Sequence, residues 1–265
     1  MRWPVTCLTF SAFFAIALVS PAQQSNRQPQ KSKPPAKTPT HASGRDLSGV
    51  WLSNDPQAPG PRTQGVFATV FPPPMTAWAQ ARYDATEPQY GPRNVLHGND
   101  PLDRCDPLGL PRMLTFYGPF QFIQLPDKIL VLYERERIWR QIWMDGRPLP
   151  QDPDPSWYGS SIGRWDGDTL VVDTVGLNEK SWVDQFGDQH SDAAHLVERY
   201  RRLNQTTMQL NMTLDDPKAY TKPWVSDIRI LHLKPNYEFQ EDLCVASEMG
   251  SFEEHIAKPA STTDK

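Results

Sequence analysis

Two histidines and a glutamate stand close together in the chain. His190 and His195 lie in the stretch 187–195, and Glu198 follows three residues later. Imidazole exchanges its proton near neutral pH. Either histidine, paired with Glu198, would form an acid–base couple suited to a hydrolase, lyase or isomerase. The same three residues are also possible metal ligands, but their spacing fits no strong metal motif. Neither Cys105 nor Cys244 has a Cys or His at zinc-ligand spacing. No metal is therefore expected. The sequence contains no G-x-S-x-G, P-loop, G-x-G-x-x-G or H-E-x-x-H, and no cofactor is expected.

A second set of residues points to binding. In the stretch 196–203, Leu196, Glu198, Tyr200 and Arg202 share one strand face, while Val197, Arg199, Arg201 and Leu203 share the other. Whichever face turns inward, the core receives a charge, and a buried charge needs a partner or a ligand. Arg140 sits between Ile138 and Ile142 on one face, so it should be buried against a carboxylate, with Glu198 or Asp173 as the candidates. Trp143 stands beside Asp145-Gly146-Arg147 at a strand end, where a cavity mouth is expected. Trp139, Trp157, Trp182 and Trp224 add flat contact area for a ring-bearing ligand, whereas Trp51 and Trp165 are expected to fill the core or plug a barrel end. Arg112, Arg140, Trp143, Asp173, Glu198 and Arg199 are thus the ligand-binding candidates. The expected ligand is a small, partly apolar molecule, aromatic or acidic in character.

These residues require strands to position them. Apolar and β-branched runs are predicted as strands at 47–52, 120–125, 129–134, 138–144, 161–165, 168–174, 196–203, 206–214, 225–233 and 237–244. Asp166-Gly167, Asn204-Gln205 and Pro235-Asn236 mark tight hairpins between consecutive runs. Residues 53–112 read as a long Pro-rich wrap, with one or two helical turns from Pro74 carrying Met75, Trp78, Ala79 and Arg82. The expected fold is a mostly β antiparallel meander, closed or nearly closed into a barrel, with little helix.

The N-terminus bears on the compartment. Arg2 precedes an uncharged apolar stretch from Cys7 to Val19, which ends at Ser20-Pro21-Ala22. This predicts a signal peptide over 1–22, too short for a bilayer span of about 20 apolar residues. Residues 23–44 have the composition of a linker, 45–250 form one predicted domain, and 251–265 a tail. The expected location is periplasmic or secreted. The chain holds 27 basic and 31 acidic residues, a net charge of −4. That balance excludes the basic face of a nucleic-acid binder. Cys105 and Cys244 remain after cleavage and are expected to bond in an oxidising compartment.

Two resemblances follow from particular motifs. Gly49-Val50-Trp51 resembles the Gly-x-Trp motif of lipocalin-like (calycin) barrels. There the Trp closes one barrel end under an Arg from a late strand, a role the resemblance gives to Arg229. The segments 105–112, 145–147, 159–174, 198–202 and 215–217 resemble the recurring motifs of an uncharacterised family of exported bacterial proteins, above all Gly163-Arg164-Trp165-Asp166-Gly167-Asp168-Thr169-Leu170-Val171-Val172-Asp173-Thr174. The leading expectation is an exported lipocalin-like protein binding a ligand in a Trp- and Arg-lined cavity. The alternatives are the enzyme using His190 or His195 with Glu198, and an envelope structural or interaction protein with 53–112 as its docking surface.

Overall fold

The computed structural model describes residues 44–53, 65–69, 72–116 and 118–245. The predicted signal peptide, the linker apart from Gly44, and the C-terminal tail lie outside the described residues. Ten strands follow in chain order: β1 (Gly49–Ser53), β2 (Pro119–Gln124), β3 (Lys128–Tyr133), β4 (Trp139–Trp143), β5 (Ser160–Asp166), β6 (Thr169–Val175), β7 (His195–Arg202), β8 (Thr207–Asp215), β9 (Trp224–Val225) and β10 (Arg229–Leu233). From β1 to β9 each neighbours the next in one sheet. β10 pairs with both β1 (Trp51 opposite Leu233) and β8 (Met208 opposite Leu231). This double pairing closes β1–β8 and β10 into a nine-stranded barrel, and β9 rests on β8 alone.

The closure explains two departures from the sequence reading. No strand forms over 237–244, because both edges of β10 are already occupied. The predicted strand 225–233 is split into β9 and β10 by residues 226–228. A third departure lies at β4–β5. Every other pairing is antiparallel, but this one is parallel and registered only through Ile142–Ser161 and Trp143–Ile162. The Pro-rich stretch 144–159 carries the chain back across the strand ends. Its length exceeds the dozen residues a parallel connection needs.

Alternation along the strands fills the barrel. β3, β7 and β8 bury every second residue, as a period of two demands. Trp51, Phe120, Phe122, Ile129, Val131, Ile142, Leu170, Val172, Leu196, Met212 and Leu231 are buried in one core. Phe122 meets Tyr200 edge to face with centroids 5.2 Å apart, the arrangement favoured by the ring quadrupoles.

Trp51 is fully buried and donates its indole N–H to Leu47 O at 2.8 Å. The arginine over its ring is Arg202, 5.4 Å from the centroid, rather than Arg229. The partner of Trp51 on β10 is Leu233, four residues from Arg229, which places Arg229 about 13 Å further along the strand. Arg229 is buried elsewhere and donates to Val66 O; burial pulls its pKa down to about 10.

The wrap is present among its described residues. Thr76 caps α1 (Ala77–Asp84), its hydroxyl accepting from Ala79 N, in the manner that satisfies an orphan N–H. A 3-10 turn (Pro101–Arg104) and α2 (Arg112–Thr115) follow. Leu108, Leu110, Met113 and Leu114 are buried in the same core as the barrel side chains.

Cys105 and Cys244 form a disulfide across 139 residues of chain. It ties the wrap to the irregular segment after β10, not to a strand. A loop of that length gives about 5 kcal/mol in the chain-entropy account. Urea unfolding of Cys105→Ser/Cys244→Ser is expected to fall short of the wild type by about that amount. Equal midpoints and slopes for the two proteins would refute the structural role of the bond.

Candidate functional site

The strongest polar constellation lies inside the barrel. Arg140 projects inward from β4 and Glu198 from β7, with side-chain exposures of 2% and 0%. Arg140 Nη1 donates to Glu198 Oε2 at 2.9 Å and Nη2 to Oε1 at 2.7 Å, a bidentate fork. The guanidinium also donates to Ser161 Oγ on β5 and Thr174 Oγ1 on β6. Tyr200 donates its hydroxyl to Glu198 at 2.7 Å. Burial by itself would lower the Arg140 pKa, but the charge and hydrogen bonds of Glu198 more than reverse this. Burial likewise pushes Tyr133, beside the pair, up to about 12. The expected partnership of Arg140 with Glu198 is therefore present, and it consumes both charges.

The other candidate residues are dispersed. Asp173 faces outward on β6, where it accepts from Arg164 and lies 3.0 Å from His195 Nε2. His195 and Glu198 point to opposite faces of β7, so the carboxylate beside His195 is Asp173. Arg199 is exposed on the outer wall. Arg112 is buried in the wrap, forked onto Asp100 at 2.6 and 2.5 Å. His190 is buried in the connection from β6 to β7. Its Nε2 lies 3.1 Å from Ser181 Oγ and its Nδ1 lies 3.2 Å from Ser191 O. Burial lowers the His190 pKa and keeps the ring neutral. Asp184 and Asp188 are buried in the same connection, and burial raises both; the negative charge of Asp184 raises Asp188 further. Neither histidine is brought to Glu198.

A concave surface lies on the outside of the barrel instead. A groove of about 470 Å³ runs over the β4–β5 seam, within the range of small-molecule sites. Trp139, Gln141 and Trp143 line it from the outward face of β4, and Ser160 and Ile162 from β5. Arg147, Pro148, Leu149, Pro150 and Tyr158 form its other side. Arg140 and Ser161 border it at the seam itself. Trp139 is 61% exposed. The Arg147 guanidinium lies 3.6 Å from the centroid of Trp143 while forking onto Asp145. Tyr158 donates to Glu136 Oε2 at 2.8 Å, and Glu136 Oε1 accepts from Leu108 N of the wrap at 2.9 Å. Glu136 and Arg137 hold this β3–β4 turn with φ of 63° and 51°, a conformation costly for side chains with a Cβ.

Of the ligand-binding candidates, Trp143 and Arg140 border the groove, whereas Arg112, Asp173, Glu198 and Arg199 do not. The sequence reading did not single out Gln141, Tyr158 or Glu136, and it took Trp139 only as one of many tryptophans. The available signal was the outward phase of Trp139 and Trp143 on a strand whose inward phase is Ile138, Arg140 and Ile142.

Two outcomes check these assignments. Breaking the buried pair in Arg140→Met is expected to cost about 3–5 kcal/mol in urea unfolding, while Arg140→Met/Glu198→Leu recovers most of the loss. A single variant within 1 kcal/mol of wild type, on the scale of an exposed pair, would contradict the geometry. His190 titrates lower in the fold than its usual value, so its contribution is complete above about pH 6.5 and is lost as pH falls through the folded pKa. The stability gap between wild type and His190→Gln should shrink on going from pH 7 to pH 5, by up to about 1.4 kcal/mol per pH unit. A gap independent of pH would refute a buried neutral imidazole.

Comparison with protein-family profiles, with curated proteins and with solved structures finds no match to this chain.

Proposed function

We propose that this chain is an exported β-barrel protein that binds a small, partly apolar, ring-bearing ligand in the groove outside β4 and β5. The observation that carries the reading is the groove itself, which places two indoles, a phenol and two prolines around about 470 Å³. Trp51, Phe122, Tyr200 and the Arg140–Glu198 pair occupy the barrel interior, which favours the outer groove over a lipocalin-like site inside the barrel. Binding is favoured over catalysis, because His190 is buried and neutral and His195 is engaged with Asp173 outside the groove. Export is supported by the Cys105–Cys244 bond, since disulfides persist in oxidising compartments, and by the signal-like N-terminus. Among the described residues no helix is long and apolar enough to cross a membrane. Membership of the exported family with the 159–174 motif is part of the same proposal, and that motif supplies Gly159, Ser160, Ser161 and Ile162 to the groove.

The test is a fluorescence titration with the uncharged probe N-phenyl-1-naphthylamine. Saturable binding to the wild type is expected. Trp139→Ala and Trp143→Ala should each weaken it by about tenfold, or about 1.4 kcal/mol. Absent binding, or binding that neither substitution changes, would overturn the proposal.

A further inference from the structure

The charged groups around the groove are already spent. Arg147 is forked onto Asp145, with contacts of 2.6 and 3.0 Å. Lys128, whose ammonium lies 4.8 Å from the Trp143 centroid, has Asp127 at 3.6 Å. Arg140 is neutralised by Glu198 inside the wall. An anionic ligand would therefore meet no uncompensated cation. A cationic one would have to displace an arginine from its carboxylate. Either exchange trades one charge pair for another and gains little.

The polar groups that stay available are uncharged. Among the described residues nothing hydrogen-bonds the Gln141 amide or the Ser160 hydroxyl, and both line the groove. The amide offers two donors and an acceptor, and the hydroxyl offers one donor and two acceptor lone pairs. Gln141 follows Trp139 on the outward face of β4 and Ser160 lies across the seam, and the largely exposed Trp139 indole is a flat apolar platform. Trp143 carries the Arg147 guanidinium on its ring, which leaves Trp139 as the stacking surface. A flat apolar face edged by neutral donors and acceptors matches a pyranose ring. Such a ring presents an axial C–H face to an indole and equatorial hydroxyls to amides and hydroxyls.

We infer that the groove takes a neutral saccharide, with the ring stacked on Trp139 and its hydroxyls bonded by Gln141 and Ser160. This rests on the groove being the binding site. The open shape of the site, with one platform tryptophan, suits a short oligosaccharide lying across the seam.

The test uses the full chain and trisaccharides that differ in charge. Maltotriose and cellotriose are the neutral probes, trigalacturonate the acidic one and the glucosamine trimer the basic one. Binding is followed by calorimetry and by tryptophan fluorescence. At least one neutral trisaccharide is expected to bind at least about tenfold more tightly than either charged one, a difference of about 1.4 kcal/mol. Trp139→Ala should weaken neutral binding about tenfold, Trp139→Phe less, and Gln141→Ala severalfold. Each variant should melt within a few degrees of wild type, because both side chains face outward. Three results would overturn the inference: a charged trimer that binds as well as the neutral ones, neutral binding indifferent to both substitutions, or no neutral binding at ~10 mM, where even millimolar affinity is visible. If N-phenyl-1-naphthylamine still binds in a Trp139-dependent way, only the saccharide assignment fails. If that is lost as well, the groove is not the site.

Discussion

The fold depends on how β4 is held against β5. Everywhere else the barrel wall is an antiparallel ladder, but here only two residue pairs are in register. The inward side chains make good the deficit. From β4, Arg140 reaches Ser161 on β5, Thr174 on β6 and Glu198 on β7, so one guanidinium spans the thin seam and ties four strands together. A planar fork with five donors can do this, whereas a lysine cannot. Burying two charges is expensive, and the arrangement is tolerable because Glu198, Ser161, Thr174 and Tyr200 hydrogen-bond within the cluster around the fork.

The groove outside follows from the same seam. The crossover 144–159 has to pass over the strand ends, and four of its residues, Pro148, Pro150, Pro153 and Pro155, lack the N–H needed to extend the sheet. The segment therefore stands away from β4 and β5 and leaves a trough between itself and the wall. Tyr158 is fixed at the rim of that trough by Glu136, which also holds Leu108 of the wrap and, through its own N–H, Asp242 O near the C-terminal cysteine. The rim, the wrap and the disulfide-linked segment thus meet at one strained turn.

The barrel was largely legible in the sequence because its signals are local. Asp166-Gly167 sits between two alternating runs, and β5 and β6 form the hairpin it marks. The Ile138, Arg140, Ile142 phase placed Arg140 inside, and the Leu196, Glu198, Tyr200 phase placed its partner opposite. What failed was non-local. Tyr237 and Phe239 gave 237–244 the look of a strand, but pairing on both edges of β10 depends on closure, which no local pattern encodes. The parallel seam was hidden for the same reason, since a Pro-rich connection says nothing of the direction in which the chain returns. The groove was missed with it. Its residues come from an outward strand face and from a loop with no period, whereas the charges that stand out in the sequence, Arg140 and Glu198, lie on inward faces. His195 shows the same limit, because its carboxylate lies across the strand pair on β6 and not along its own strand.

In the proposed mode of binding the ligand sits outside the barrel, and Trp51, Phe122 and the Arg140–Glu198 pair occupy its interior. Among the nine tryptophans of the chain, Trp51 reports on the interior and Trp139 and Trp143 on the groove. Indole N–H resonances of ¹⁵N-labelled protein, followed during titration with N-phenyl-1-naphthylamine, separate the two directly. The account predicts that the Trp139 and Trp143 signals move with the probe and that the Trp51 signal stays in place. A shift of Trp51 with Trp139 and Trp143 unmoved would put the ligand inside the barrel and contradict it.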